Sequence, residues 1–244
     1  MQFFLGKFIK KNKKIFLRIH DHWKWKNVFS CFILIYVFSI PVPFCHASLT
    51  LEDVVQKMQS SYENTKDFKA DFVQETSMKS AKKKIIEEGK MFFKKPRNLL
   101  WDYSKPEIKK IIINSQKAWL YLPQEKIAYT QSSSKILQSH ILINFFSGAG
   151  NLKKDFIIRL ATPEMTDSDG HYLLVLTPRQ KNAGFSEVRM TVDQKNFSIL
   201  RLSFDDVMGN ATTLYFSNMA VNSNIPLNMF RFRPPAGVDI FPMN

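Results

Sequence analysis

After residue 67 the chain alternates apolar and polar residues with a period of two, in short stretches broken by polar turns. Phe68, Ala70 and Phe72 alternate with Lys69 and Asp71, and Leu99, Trp101 and Tyr103 alternate with Leu100 and Asp102. This period places successive side chains on opposite faces of a strand. The same signal predicts strands over 85–94, 108–113, 118–122 and 127–131. It recurs over 156–160, 172–177, 185–192, 199–204, 212–217 and 229–232. Breaks such as Asn114-Ser115-Gln116 and Asp193-Gln194-Lys195-Asn196 are short enough to join neighbouring antiparallel strands. Many short strands without strand–helix alternation predict an antiparallel meander that curls into a barrel or half-barrel.

Two stretches depart from that period. Leu51, Val54, Val55, Met58 and Tyr62 fall on one face at helical spacing. Thr50 is placed to cap that helix, with Asp53 at the third position of a capping-box pattern. The second stretch, 136–146, reads ILQSHILINFF and is followed by Gly148-Ala149-Gly150, a helix stop. At about 100° per residue, Ile136, Leu137, Ile141, Leu142, Ile143, Phe145 and Phe146 cover nearly the whole circumference, leaving His140, Asn144 and Ser147 as a narrow polar edge. Such a helix must be covered on most sides. It is either a core element or a lid, with one face on the sheet and another on an apolar ligand.

The first 47 residues differ in kind. Eight Lys and Arg against one acid, Asp21, precede an apolar run from residue 28 to 44, which ends in Cys45-His46-Ala47. This is the pattern of a secretory signal peptide, with cleavage expected after Ala47. Pro41 and Pro43 count against an uncleaved anchor, and Phe44 before Cys45 counts against lipidation of that cysteine. The expected mature chain, 48–244, is a single domain. Removing eight basic residues and one acid from 35 and 21 leaves 27 and 20, so the net charge falls from +14 to +7. Both cysteines, Cys31 and Cys45, go with the leader. Export makes a nucleic-acid partner unsuitable for the remaining basic charge, which suits solubility and attraction to anionic membrane surfaces.

Catalytic chemistry is hard to find. After residue 47 only His140 and His171 remain, with no HExxH, CxxC or GxSxG motif. The acid pairs Glu87-Glu88 and Asp205-Asp206 are adjacent on strands, where neighbours point to opposite faces and cannot flank one bond. The expectation is a non-enzyme without metal or cofactor.

Five segments, in order, resemble the outer-membrane lipoprotein carrier (LolA) family: DFKADFVQ (67–74), KKPRNLLWDYSKP (94–106), IIINSQKAWLYLP (111–123), LLVLTPR (173–179) and FRFRPPAGVDIF (230–241). The resemblance implies an incomplete antiparallel β-barrel covered by helices that form a lid over an apolar cavity. It further implies a monomeric periplasmic carrier. Such a carrier takes lipoproteins from an inner-membrane ABC transporter and passes them to an outer-membrane receptor. The residues suit that role. A buried methylene is worth ~0.8 kcal/mol, so a 16-carbon acyl chain is held in a membrane by on the order of 12 kcal/mol. It needs an apolar shelter to cross water. Phe72, Phe93, Leu99, Trp101, Trp119, Tyr121, Ile136, Ile143 and Phe146 are the expected lining of the acyl cavity. The family usually has arginine before the proline of the KPR-type segment, where it helps hold the lid shut. Here Lys95 stands there, with Arg97 after the proline, so either is a candidate latch. Two alternatives share the pattern: a lipid-anchored receptor of the same fold, and a periplasmic sensor of misplaced lipids or lipoproteins.

Overall fold

The computed structural model describes residues 49–139, 151–180 and 184–243, with backbone only for 137–139. All of them belong to the second of the two units, Met1–Ala47 and Ser48–Asn244, into which the chain divides. Helix α1 (Leu51–Asn64) begins as its sequence dictates. The Thr50 hydroxyl accepts the Asp53 N–H at 3.2 Å, and the Asp53 carboxylate accepts the Thr50 N–H at 3.0 Å. These two bonds satisfy amides that a helix start leaves open. Val54, Val55 and Met58 are the buried face of α1.

Six strands follow: β1 (Asp67–Met78), β2 (Lys83–Lys94), β3 (Asn98–Lys105), β4 (Lys109–Ile113), β5 (Lys117–Leu122) and β6 (Ile127–Ser132). Then come α2 (Ser133–Ser139) and a one-turn α3 (Leu152–Asp155). The second group is β7 (Phe156–Leu160), β8 (Tyr172–Pro178), β9 (Phe185–Val192), β10 (Ile199–Asp206) and β11 (Ala211–Val221). A 3₁₀ turn (Leu227–Phe230) and β12 (Asp239–Pro242) complete the described elements. They form one open sheet in the order β12-β6-β5-β4-β3-β2-β1-β11-β10-β9-β8-β7. Two antiparallel meanders, β1–β6 and β7–β11, meet where β1 pairs with β11, Phe72 opposite Phe216. The sheet does not close into a barrel. β12 lies parallel to β6 at one edge, with Ile240 beside Ala128.

The helical segment predicted over 136–146 is helical as far as Ser139; residues 140–150, including Ile143 and Phe146, lie outside the described residues. The strand predicted over 229–232 is not one. Pro226, Pro234 and Pro235 flank it and deny it a continuous ladder, and the chain there forms the 3₁₀ turn instead.

Both faces of the sheet carry apolar side chains. The inner face meets α1 and α2 in one cluster that includes Val54, Phe72, Met91, Trp101, Ile113, Ile136, Val188 and Leu202. The outer face of β3–β6 carries a second cluster, Leu100, Ile112, Trp119 and Ala128, covered by Ile225, Phe230 and Phe232 of the segment after β11. α1 and this C-terminal segment therefore cover opposite faces of the sheet.

Candidate functional site

An apolar pocket of about 220 Å³ opens beside α1. Met58 and Tyr62 of α1 and Phe68 of β1 form one wall, and Phe216, Met219 and Val221 of β11 another. Leu152 of α3 and the β9–β10 turn (Asn196, Phe197, Ser198) with Ile199 complete the lining. Every charged residue type is missing from this set. Two cations lie over its rings: Lys57 Nζ is 5.5 Å from the Phe197 centroid and Lys95 Nζ is 5.7 Å from the Tyr62 centroid. The Ser198 hydroxyl is buried and has no hydrogen-bond partner among the described residues.

The local sequence explains the walls. Met58 and Tyr62 are four apart on α1 and so share a face, while Phe68 is the second residue of β1 and points to the same side as Ala70 and Phe72. Phe68 sits 5.3 Å from Phe93 between ring centroids, and Tyr62 stacks on Phe93 at 6.2 Å. The pocket is thus continuous with the inner cluster.

The end of α1 is held from outside the helix. Lys95 Nζ donates to the carbonyl oxygens of Tyr62 at 3.0 Å and Glu63 at 2.7 Å. These belong to the last turn, where carbonyls lack helical partners and the helix dipole is negative. The Thr65 hydroxyl donates to the Ser61 carbonyl at 2.8 Å. Lys95 precedes a cis proline bond, and its own N–H donates to the Lys66 carbonyl at 2.9 Å. Arg97, at φ +58°, is exposed and makes no hydrogen bond or ion pair with the described residues. Of the two candidates, Lys95 alone makes the contacts a latch on α1 requires. Lys95→Leu should loosen the end of α1 by about 1.5–3 kcal/mol, seen as faster amide exchange at residues 58–66. Arg97→Leu should leave that exchange unchanged, and equal effects from the two variants would contradict the assignment.

The expected cavity residues divide into groups. Phe72, Phe93, Leu99, Trp101 and Ile136 all belong to the inner cluster. Phe72 meets Trp101 edge-on at 5.7 Å and Tyr103 at 4.9 Å. They form the floor that the pocket joins, but none of the five lines the pocket itself. Trp119 and Tyr121 do not face the cavity that the sequence predicts for them. They lie on the outer face, where both rings contact Phe232, at 5.3 Å and 4.9 Å. The reason is register: Ala118, opposite Ile113, takes the inward position on β5, so Trp119 opposite Ile112 must point outward. Ile143 and Phe146 are outside the described residues. The opposite wall, Phe197 and Met219 above all, gives no sign in the sequence. Phe197 stands between polar Asn196 and Ser198 in a turn, and Met219 lies past the end of the strand predicted over 212–217.

A model described as outer membrane lipoprotein carrier protein LolA matches residues 63–233. An outer-membrane lipoprotein carrier protein of Methylococcus capsulatus is 26% identical over 186 residues, spanning 76% of this chain and 86% of its own length. That of Dechloromonas aromatica is 25% identical over 200 residues, spanning 80% and 92%. Among solved structures, an uncharacterized conserved protein from Thermus thermophilus superposes with a TM-score of 0.51 at 13% identity. The match covers 79% of this chain and 98% of that one, and it supports the fold. The order of strands, the covered inner face and the match over most of the chain agree: this protein belongs to the outer membrane lipoprotein carrier (LolA) family.

Proposed function

We propose that this protein is an exported carrier that shields the acyl chains of lipoproteins between its inner sheet face and α1. The observation that carries the reading is the uncharged, mostly apolar pocket beneath a helix whose end is pinned by one lysine. At about 220 Å³ the pocket is smaller than the ~300–1,000 Å³ of sites that enclose drug-sized ligands. On this reading, taking up an acyl chain requires α1 to swing outward and Lys95 to release its carbonyls. Phe72, Phe93, Leu99, Trp101 and Ile136 then become the surface on which the chains rest. Exchange of apolar contacts for apolar contacts explains why no catalytic group is needed. On this reading the chain begins at Ser48 after export, takes cargo from an inner-membrane transporter and yields it to an outer-membrane receptor.

Met219→Asp tests it. A carboxylate in the pocket wall must be desolvated whenever an acyl chain fills the space, but it stays hydrated while the pocket is empty. Periplasmic protein starting at Ser48 by mass spectrometry should lose lipoprotein retention at least tenfold in this variant, with a melting temperature within a few degrees of wild type. Retention equal to wild type would remove the pocket from the reading.

A further inference from the structure

At the end of the sheet away from the pocket, two hairpin tips stand side by side. β1 pairs with both β2 and β11, so Ser77 lies between Lys84 and Ala211, and Asp205 follows across from Ala211. The tips beyond this row, 79–82 and 207–210, are tied together. The Lys79 N–H donates to Asn210 Oδ1 at 3.1 Å, and the Lys79 stem lies where a side chain on Gly209 would reach. The β10–β11 tip is built rather than loose. The Asp206 carboxylate accepts the N–H groups of Met208 at 2.8 Å and Asn210 at 2.9 Å, and the Asn210 amide at 2.8 Å. Gly209 supplies the positive φ (+79°) of the turn.

This frame holds two apolar side chains out into water. Val207 is 82% and Met208 79% exposed, more than any other large apolar residue described. Beside them Lys79, Lys82, Lys83 and Lys84 are all exposed. Lys84 pairs with Glu75 at 2.8 Å; the other three make no ion pair among the described residues. The acids of this end, Glu75, Asp205 and Asp206, sit behind the tips on the strands, and Asp206 is turned into its own loop.

We propose that the paired tips are a docking foot for an anionic lipid bilayer surface, with Val207 and Met208 entering the headgroup region and the lysines meeting lipid phosphates. Two protruding apolar groups flanked on one side by cations match such a surface in shape and charge. A specific protein interface instead needs on the order of 800 Å² of complementary surface per partner, which two convex tips do not supply. The geometry has a further implication. Phe68, at the pocket, and Met78, at the foot, are the two ends of β1, roughly 33 Å apart at about 3.3 Å per residue. A carrier standing on this foot holds its pocket away from the lipid, within reach only of a protein that rises from the membrane.

The test is co-sedimentation with vesicles of phosphatidylcholine alone or with 30% phosphatidylglycerol, using protein purified in the form its host accumulates. Binding should require phosphatidylglycerol, fall steeply with salt, and drop at least tenfold in Val207→Ser/Met208→Ser. Lys82→Glu/Lys83→Glu should act in the same direction, and all these exposed changes should leave the melting temperature within about 2 °C of wild type. Unchanged vesicle binding in the tip variants, or none in the wild type at low salt, overturns the proposal. Tip-dependent binding to native membranes but not to vesicles overturns it in favour of a protein partner. These vesicles carry no lipoprotein, so failure here leaves the cargo reading intact, and the Met219→Asp result leaves the foot intact.

Discussion

Gly89→Val is expected to destabilise the protein by about 3 kcal/mol, a fall in melting temperature of roughly 6–12 °C for a domain of this size. Gly89 lies on the inner side of β2 opposite Phe72, at the point where the pairing of β2 with β3 slips by one residue. A Cβ there would come 2.2 Å from the Asp102 carbonyl oxygen and 2.9 Å from the Phe72 ring. Neither neighbour has room to yield. The oxygen is backbone in the middle of a ladder, and the ring is wedged between Trp101 and Tyr103. The close approach of two strands, not a turn, is what demands glycine here. Thermal melts of the variant check it, and a midpoint within about 2 °C of wild type would refute the packing argument.

Asp67→Ala should cost about 3 kcal/mol by a different route. Asp67 is 1% exposed. Its carboxylate accepts the Ser223 N–H at 2.7 Å and pairs with Lys94 at 3.2 Å, and its carbonyl accepts the Asn222 N–H at 2.7 Å. One side chain thus joins the start of β1, the end of β2 and the chain leaving β11. Truncating it strands a partly buried ammonium and a backbone donor. Burial by itself would push this carboxyl up, but the bonds from Lys94 and Ser223 and the Lys94 charge outweigh it and hold the group below 3.8. A depressed carboxylate contributes stability that is complete above its unfolded-state value. That contribution declines as the pH falls below about 4 and is gone once the folded-state value has been passed. The wild-type and Asp67→Ala stability curves should therefore lie apart at pH 7 and approach each other toward pH 3. Parallel curves down to pH 3 would mean that the ion pair is not the source of the difference.

Much of the fold is legible in the residues, and the reasons differ from place to place. The capping box at Thr50 and Asp53 is a local arrangement of four residues and needs nothing distant. The alternation that predicts β1 to β11 is likewise local. What alternation leaves open is which face is inward. On β3 the answer is hidden because Asn98, Leu99, Leu100, Trp101 and Tyr103 are all buried, the sheet being covered on both sides. Trp119 and Tyr121 read as cavity residues for that reason: the second cover, residues 225–232, is itself a stretch whose apolar residues imitate a strand. The anchor at the end of α1 is unreadable for a related reason. Lys95 and Arg97 are equivalent as charges, and only the fold brings one of them to carbonyls 32 and 33 residues earlier in the chain.

The junction of β1 with β11 also sets a clock. Each meander is made of neighbours in sequence and can zip as it emerges, because closing a short turn costs little chain entropy. The junction joins residues as far apart as Phe72 and Phe216, so a chain threading out from its N-terminus holds its first half-sheet for the whole interval before β11 arrives. During that time β1 has an unpaired edge on one side, the condition that invites mispairing with another chain. The strand has a partial guard: Lys69, Asp71 and Glu75 place charge along the waiting edge. That edge stays open to a foreign strand until the last long strand appears, and the exposure ends when β11 docks.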